Sequence, residues 1–459
     1  MSLVISKSEY MMFLKHPAWL WLKKYDKAKL PPVDENTQAL FDSGHKFEPY
    51  AEAQFPEGVT LGFSDYDEYL SLPQRTQVAI ARGDQVLFQP RFEAEQFTCI
   101  CDIVSFVGDK EVDLYEIKAS TSTKPEHEFD LAFQTAVLEG TGLTVRNIYV
   151  IHVNNQYVRQ GQIEADKITH TEDVTDKVRS KGDLTAKYML MALSVAQLSK
   201  MPDPAPELAK LGSKKDWLQI YANIVPSEPK VWPEDTVPVI QHEEIKQFLG
   251  ELKYPLYFLD YETLMSLVPY FDGQRPYQQV PFQYSLHILK SPNAKLEQRE
   301  YLHRDNSNPS RPLTEQLIKD IGNTGTVFVW YEGFEKARNT ELGAMYPEYK
   351  HAMEAINDRV IDLIVPFKKK WYNDPRFEGG ASIKQVLPVL CPELSYKSLG
   401  IQEGGSAQRL WIEAVLDEKR VDQKEQILAD LLEYCKLDTL AMVEIYRLLS
   451  KIADNTRVN

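Results

Sequence analysis

One short run constrains this chain more than any other: Tyr257-Phe258-Leu259-Asp260-Tyr261-Glu262-Thr263. Entered through Pro255 and rich in Tyr, Phe and Leu, it reads as a buried strand. Side chains two apart on a strand share a face, so the carboxylates of Asp260 and Glu262 point the same way. Two like charges at the end of an apolar strand are costly unless a cation neutralises them. Oxygen ligands favour Mg²⁺ or Mn²⁺. A strand running out into solvent with two surface acids would give the same letters, so the rest of the chain has to decide.

At 459 residues the chain is too long for one core, and two domains are expected, both of the α/β class. The expected boundaries are 1–195 and 251–459, with an ordered connector over 196–250. Seven prolines break up that connector: Pro202, Pro204, Pro206, Pro226, Pro229, Pro233 and Pro238. Its short helical piece Ser213–Ala222 and its Trp217, Tyr221 and Trp232 need something to pack against. No run approaches eighteen apolar residues, so no membrane partner is expected. Four cysteines, Cys99, Cys101, Cys391 and Cys435, are too few and scattered for a disulfide frame and fit a reducing cytoplasm. A net charge of −15 argues against coating nucleic acid through a basic surface. It leaves room for an enzyme whose clustered acids bind cations that reverse the local sign.

In the first half, Ser6 and Glu9 form a capping box that opens a helix. A second helix puts His45, Glu48 and Glu52 on one face, a pattern equally suited to a solvated surface. Two strands follow, Arg91–Cys101 and Glu111–Ile117, joined through Gly108-Asp109-Lys110. Asp102 ends the first, and Glu116 and Lys118 share a face of the second. Acids that hold metal beside an ammonium that orients water make a compact hydrolytic set. A helix over Pro125–Glu139, closed by Gly140, carries Gln134 beside its apolar face.

In the second half, strands over Val280–Leu289 and Glu297–His303, a helix over Thr314–Ile321 and a strand over Thr326–Trp330 predict a mixed sheet with helices against it. Glu335 opens the next helix, and Asp362 ends a short apolar run. Tyr434 and Asp438 lie four apart on a long helix from about Asp422 to Ile452, and so share a face. The pairs Gly379-Gly380 and Gly404-Gly405 read as turns, and the lysines 368–370 as a solvated face or a backbone contact.

The order of residues in the first half resembles the RecB-like branch of the PD-(D/E)XK nucleases. That resemblance covers roughly residues 5–160 and implies that His45, Asp102 and Glu116 carry metal, Lys118 is catalytic and Gln134 lies next to the site. Some relatives carry a four-cysteine iron–sulfur cluster; with Cys99 and Cys101 in a core strand, no cluster is expected here. The second half, over roughly 254–452, resembles the DnaQ-like exonucleases of RNase H-like fold, in the form with Tyr-x-x-x-Asp on the last helix. It implies metal ligands Asp260, Glu262, Glu335 and Asp438 holding two ions, with Tyr434 orienting the attacking water. The chain departs from that pattern in the second motif, with Tyr331 for the usual Asn and Glu335 for the usual Asp; Asp362 is the alternative ligand. The whole resembles a bacterial family joining the two nuclease types, through stretches at 118–122, 379–405 and 434–446. The resulting expectation is a Mg²⁺- or Mn²⁺-dependent nuclease with two sites, acting on ends or single strands of DNA more readily than RNA. The alternatives are a binding or scaffold protein with one or both sites inactive, and an RNA-processing exonuclease.

Overall fold

A computed structural model describes residues 3–211, 214–226, 228 and 230–454. Ser213 and Pro229 of the expected connector lie outside the described residues. The chain is mixed α/β and divides into two units, residues 1–229 with 267–269, and 230–266 with 270–459.

In the N-terminal unit the strands, in chain order, are β1 (Ile5–Ser6), β2 (Val59–Thr60), β3 (Val86–Phe88), β4 (Arg91–Ala94), β5 (Phe97–Ile100), β6 (Ile103–Phe106), β7 (Glu111–Lys118), β8 (Thr144–Val153) and β9 (Thr169–Asp173). The main sheet runs β2-β3-β6-β7-β8-β9, and β1-β5-β4 forms a smaller one. Helix α1 (Lys7–Lys15) starts at the predicted capping box: Ser6 Oγ accepts the Glu9 amide at 3.3 Å and Glu9 accepts the Ser6 amide at 3.0 Å. Helix α2 (Glu35–Glu52) carries His45, and α3 (Pro125–Gly140) links the parallel pair β7 and β8. Tyr10 of α1 stacks on Phe133 of α3, ring centres 4.7 Å apart, inside the core.

Two local expectations need correcting. Arg91–Cys101 is not one strand but the hairpin β4–β5, turned at Glu95 with φ +52°, and β6 intervenes before β7. Asp102 therefore precedes β6 rather than ending a long strand. Gly140 does not close its helix in a left-handed conformation; Gly142 does, at φ +89°. Gly140 is small for another reason: a Cβ there would lie 2.7 Å from that of Ala94 in the hairpin. Of the connector, Trp217 is buried against His16, rings 3.9 Å apart, within the N-terminal unit.

The C-terminal unit is built on β10 (Leu256–Leu264), β11 (Val280–Leu289), β12 (Glu297–Leu302), β13 (Thr326–Val329) and β14 (Val360–Asp362). Their order is β12-β11-β10-β13-β14, antiparallel through the first three and parallel through the last. The strand carrying Asp260 and Glu262 thus lies at the centre. Helix α4 (Glu332–Met345) follows β13, and α5 (Ile383–Leu390), α6 (Gly404–Trp411) and the 30-residue α7 (Lys424–Ala453) complete the layers used below. Gly404 and Gly405 begin α6 rather than forming a turn, whereas Gly379 has the positive φ, +78°, of one.

Candidate functional site

Asp260 is the hub of the C-terminal unit. Burial, then the charges of Asp438, Glu262 and Glu335, hold its carboxyl well above the usual carboxylate range, weakly opposed by the Cys435 thiol. Glu262 is raised by burial and Asp438, and Asp438 by burial to about 6. Glu335, 2% exposed, is pushed up to about 8 by burial, with Asp362 adding to the shift and Arg338 opposing it. Its Oε2 is buried without a hydrogen-bond partner. Period two on β10 puts Asp260 and Glu262 on one face, α7 brings the charge of Asp438 to bear on both, and α4 that of Glu335 on Asp260.

Thr439, the neighbour of Asp438, fixes the long helix on the sheet. Its Oγ1 lies 2.7 Å from Ser285 Oγ and 2.8 Å from His287 Nδ1, both on the fully buried strand β11. Burial lowers the His287 imidazole to about 4, so the ring is neutral near pH 7.

Asp362 is not a fourth ligand in waiting. Its Oδ1 accepts the amides of Tyr331 at 3.0 Å and Ile364 at 3.1 Å, and its Oδ2 that of Glu332 at 3.1 Å. These bonds hold the turn that opens α4, in which Tyr331 sits at φ +100°. The position where the chain departs from the exonuclease pattern, Tyr for Asn, is thus one where a bulky residue is strained and Asn is more at ease. Replacing it by glycine, Tyr331→Gly, should raise the stability of this unit by about 1 kcal/mol, measured by urea unfolding; a loss would mean that the ring's contact with Lys368, 5.0 Å away, outweighs the strain.

Three neighbours lie within the stretches 379–405 and 434–446 but were assigned no role from sequence. Tyr396 donates its O–H to Asp438 Oδ1 at 2.6 Å. Lys384 of α5 lies 5.5 Å from the Tyr396 ring and 5.6 Å from that of Tyr434, and its charge favours the ionised forms of Glu262 and Asp438. Cys435 Sγ lies 3.8 Å from Asp260 Oδ2. Among the described residues, Asp260, Glu262 and Cys435 are the three whose ligand atoms lie within 4.8 Å of one another. Burial and the surrounding acids push the Cys435 thiol well up, so it stays protonated and leaves an oxygen donor set. Crowded carboxylates with an orphaned oxygen are what a pair of hard divalent cations would relieve.

The N-terminal cluster is built differently. Lys118 Nζ donates to Glu116 Oε1 and Asp130 Oδ2, each at 2.7 Å, and Lys7 Nζ to Glu116 Oε1 at 2.9 Å. Gln134 Nε2 donates to Glu116 Oε2 at 2.8 Å and Asp130 Oδ1 at 3.0 Å. Burial works against charge on Lys118, but Asp130 and Glu116 outweigh it and hold the ammonium above its ordinary range. Against the opposition of burial, Lys118 and Lys7 hold Asp130 below the usual range. Asp102, accepting the Ile117 amide at 2.6 Å, is raised by burial and Glu116 to about 7. Glu116, Lys118 and Gln134 thus come together as expected, joined by Lys7 and Asp130, which sequence reasoning missed. The available signal for Asp130 was its i, i+4 spacing from Gln134 within the largely apolar middle of the helix. His45 is not brought in. Its side chain is 70% exposed beside Glu48, on a cavity of about 380 Å³ that Phe41, Ile117 and Ala119 also line. His45, Asp102 and Glu116 therefore do not form a ready cation site, since both Glu116 oxygens are held by protein donors.

The model of a family described as a domain of unknown function (DUF2779) matches residues 257–382. That span takes in Asp260, Glu262, Glu335 and Asp362 and stops short of Lys384, Tyr396, Tyr434 and Asp438. The chain is similar to the uncharacterised protein MG366 of Mycoplasma genitalium, 24% identical over 222 residues, which covers 44% of this chain and 33% of that protein. Its homolog in Mycoplasma pneumoniae is 27% identical over 221 residues, with the same shares. The uncharacterised protein UU173 of Ureaplasma parvum is 24% identical over 234 residues, 46% of this chain and 33% of its own. The chain spans a third of the length of these curated relatives. No helix among the described residues is long and apolar enough to cross a membrane.

Proposed function

We propose that the C-terminal unit hydrolyses phosphodiester bonds at the ends of nucleic acid strands, DNA before RNA, as a divalent-cation-dependent exonuclease. The observation that carries this reading is the grouping of Asp260, Glu262, Glu335 and Asp438, each raised by burial, with Asp260 raised further by the other three and Glu262 by Asp438. A mixed sheet with its acidic strand central and helices around it supports the RNase H-like assignment. Asp260, Glu262, Glu335 and Asp438 would hold Mg²⁺ or Mn²⁺, which would supply activation of a water and stabilisation of the leaving oxygen. Tyr434, whose hydroxyl burial and Asp438 keep protonated, offers an O–H to orient that water.

The test is trimming of a 3′-labelled oligonucleotide with Mn²⁺, in a Glu116→Gln background that silences the N-terminal cluster. Glu335→Asp should keep activity within about tenfold, because a carboxylate remains, whereas Glu335→Gln should lose about 100-fold or more. Equal rates for the two variants would remove Glu335 from the site. Tyr434→Phe should cost about tenfold, since the acids stay in place and only water placement suffers.

For the N-terminal unit a second reading is favoured by one observation: Lys7, Lys118 and Gln134 already occupy Glu116. We read it as a RecB-like PD-(D/E)XK core that engages nucleic acid, with cleavage requiring Lys7 to leave Glu116. Burst-free binding of single-stranded DNA without metal-dependent cutting, in an Asp260→Asn background, is the result expected of a binding module; cutting that Glu116→Gln abolishes is the result expected of a second active site.

A further inference from the structure

Lys384 has no part in the reading above, yet its ammonium stands at the edge of the four acids. It sits on α5, which the box Ser382–Gln385 caps, and the hydrogen bond it makes is to the Gln402 carbonyl at 2.7 Å. An ammonium has three donors, so this bond leaves it capacity for another acceptor. The side chain is exposed, and its charge reaches Glu262 and Asp438 while its Nζ lies about equally far from the Tyr396 and Tyr434 rings. A lysine held only to stabilise the fold would ordinarily close an ion pair; this one is kept off the carboxylates by a main-chain oxygen. Charge count explains the arrangement. Two divalent cations would formally balance the four carboxylates, and Lys384 adds an exposed positive charge for a phosphodiester beyond that balance.

We propose that Lys384 is the residue that binds the phosphate of the bond being cut, turning from the Gln402 carbonyl to a non-bridging phosphate oxygen. The inference rests on the exonuclease reading of the C-terminal unit and names the group that recognises its substrate's charge. A strongly hydrated point charge on a flexible stem suits a phosphate that must enter and leave. Tyr396 is the matching positioning residue: its O–H on Asp438 and its ring beside Lys384 hold acid and cation apart.

The experiment compares the parent with Lys384→Met and Lys384→Arg on two independent readouts. Lys384→Met should lower kcat/KM for a 3′-labelled oligonucleotide about 100-fold and reduce the salt slope of log kcat/KM by about 0.7, the share of one phosphate contact on a single strand. Calorimetric Mn²⁺ binding should become tighter by about fivefold, because a repelling cation has left the acids. Lys384→Arg should recover most of the activity. A lysine that merely supports the fold would weaken Mn²⁺ binding together with activity, and that result overturns the proposal. So does an unchanged kcat/KM and salt slope. If the parent itself neither binds Mn²⁺ nor trims, the exonuclease reading falls and this inference with it, which the parent's own data show before any variant is made.

Discussion

Asp260→Asn will abolish metal-dependent trimming by the C-terminal unit, by about 10³-fold or more, and will make the metal-free protein more stable. The first effect follows from position: Asp260 is the acid that Asp438, Glu262 and Glu335 all bear upon, so its loss removes a ligand that two cations would share. The second follows from linkage. A carboxyl whose pKa is raised on folding contributes stability that is complete below its unfolded value and is lost as pH rises through the folded one. With Asp438 at about 6 and Glu335 at about 8, the metal-free parent should lose stability steadily from about pH 4 to about pH 8. Asp260→Asn takes one charge out of that repulsion and should recover about 1–3 kcal/mol at pH 8, and little at pH 4. Mn²⁺ should stabilise the parent far more at pH 8 than at pH 5, and the variant little at either. Thermal melts across pH with and without Mn²⁺ measure all three. A variant less stable than its parent at pH 8 would mean that the four acids do not strain one another.

The second large effect has the opposite sign. Lys118→Ala should destabilise the N-terminal unit by about 3–5 kcal/mol at neutral pH, whatever it does to catalysis. Glu116 and Asp130 are 2% and 6% exposed, and the Lys118 ammonium bonds both. Removing it leaves two buried carboxylates sharing Lys7 and Gln134. Because Asp130 is held below the usual range, the stability it brings is present at neutral pH and disappears only as pH falls through that low folded value. The gap between parent and variant should therefore be widest near pH 7 and begin to narrow once pH falls below the ordinary carboxylate range. Urea unfolding at pH 7 and at pH 3 reads this directly. A variant as stable as the parent at pH 7 would show that Lys7 and Gln134 suffice, and would free Lys118 for a catalytic role alone.

What the sequence made legible was whatever lay within one regular element. Asp260 with Glu262 needed only the two-residue period of a strand, and Tyr434 with Asp438 only one helical turn. Glu335 followed from its place after the fourth strand. Residues whose position depends on chain folding back on itself left no such trace. Lys7 meets Glu116 across more than a hundred residues, and Tyr396 reaches Asp438 from a short 3₁₀ turn. Asp362 had the composition of a ligand, but the turn at Tyr331 claims its oxygens for three amides, which no local pattern announces. The hairpin at Glu95 was missed because a non-glycine residue supplies its positive φ.

The bond from Thr439 to Ser285 and His287 has a bearing on how the last helix finds its place. Elsewhere along its inner face α7 offers apolar residues turn after turn, Leu431, Met442, Ile445 and Leu449 among them, and grease alone scarcely distinguishes one turn from the next. A slide of a single turn, about 5.4 Å, would carry Asp438 out of reach of Asp260 and set Tyr434 in its stead. It would also strand three hydroxyl and imidazole groups in a dry interior, at roughly 1–3 kcal/mol apiece. The threonine is a detent: it makes the wrong stops along the helix expensive, and so decides which turn of thirty residues faces the acids of β10.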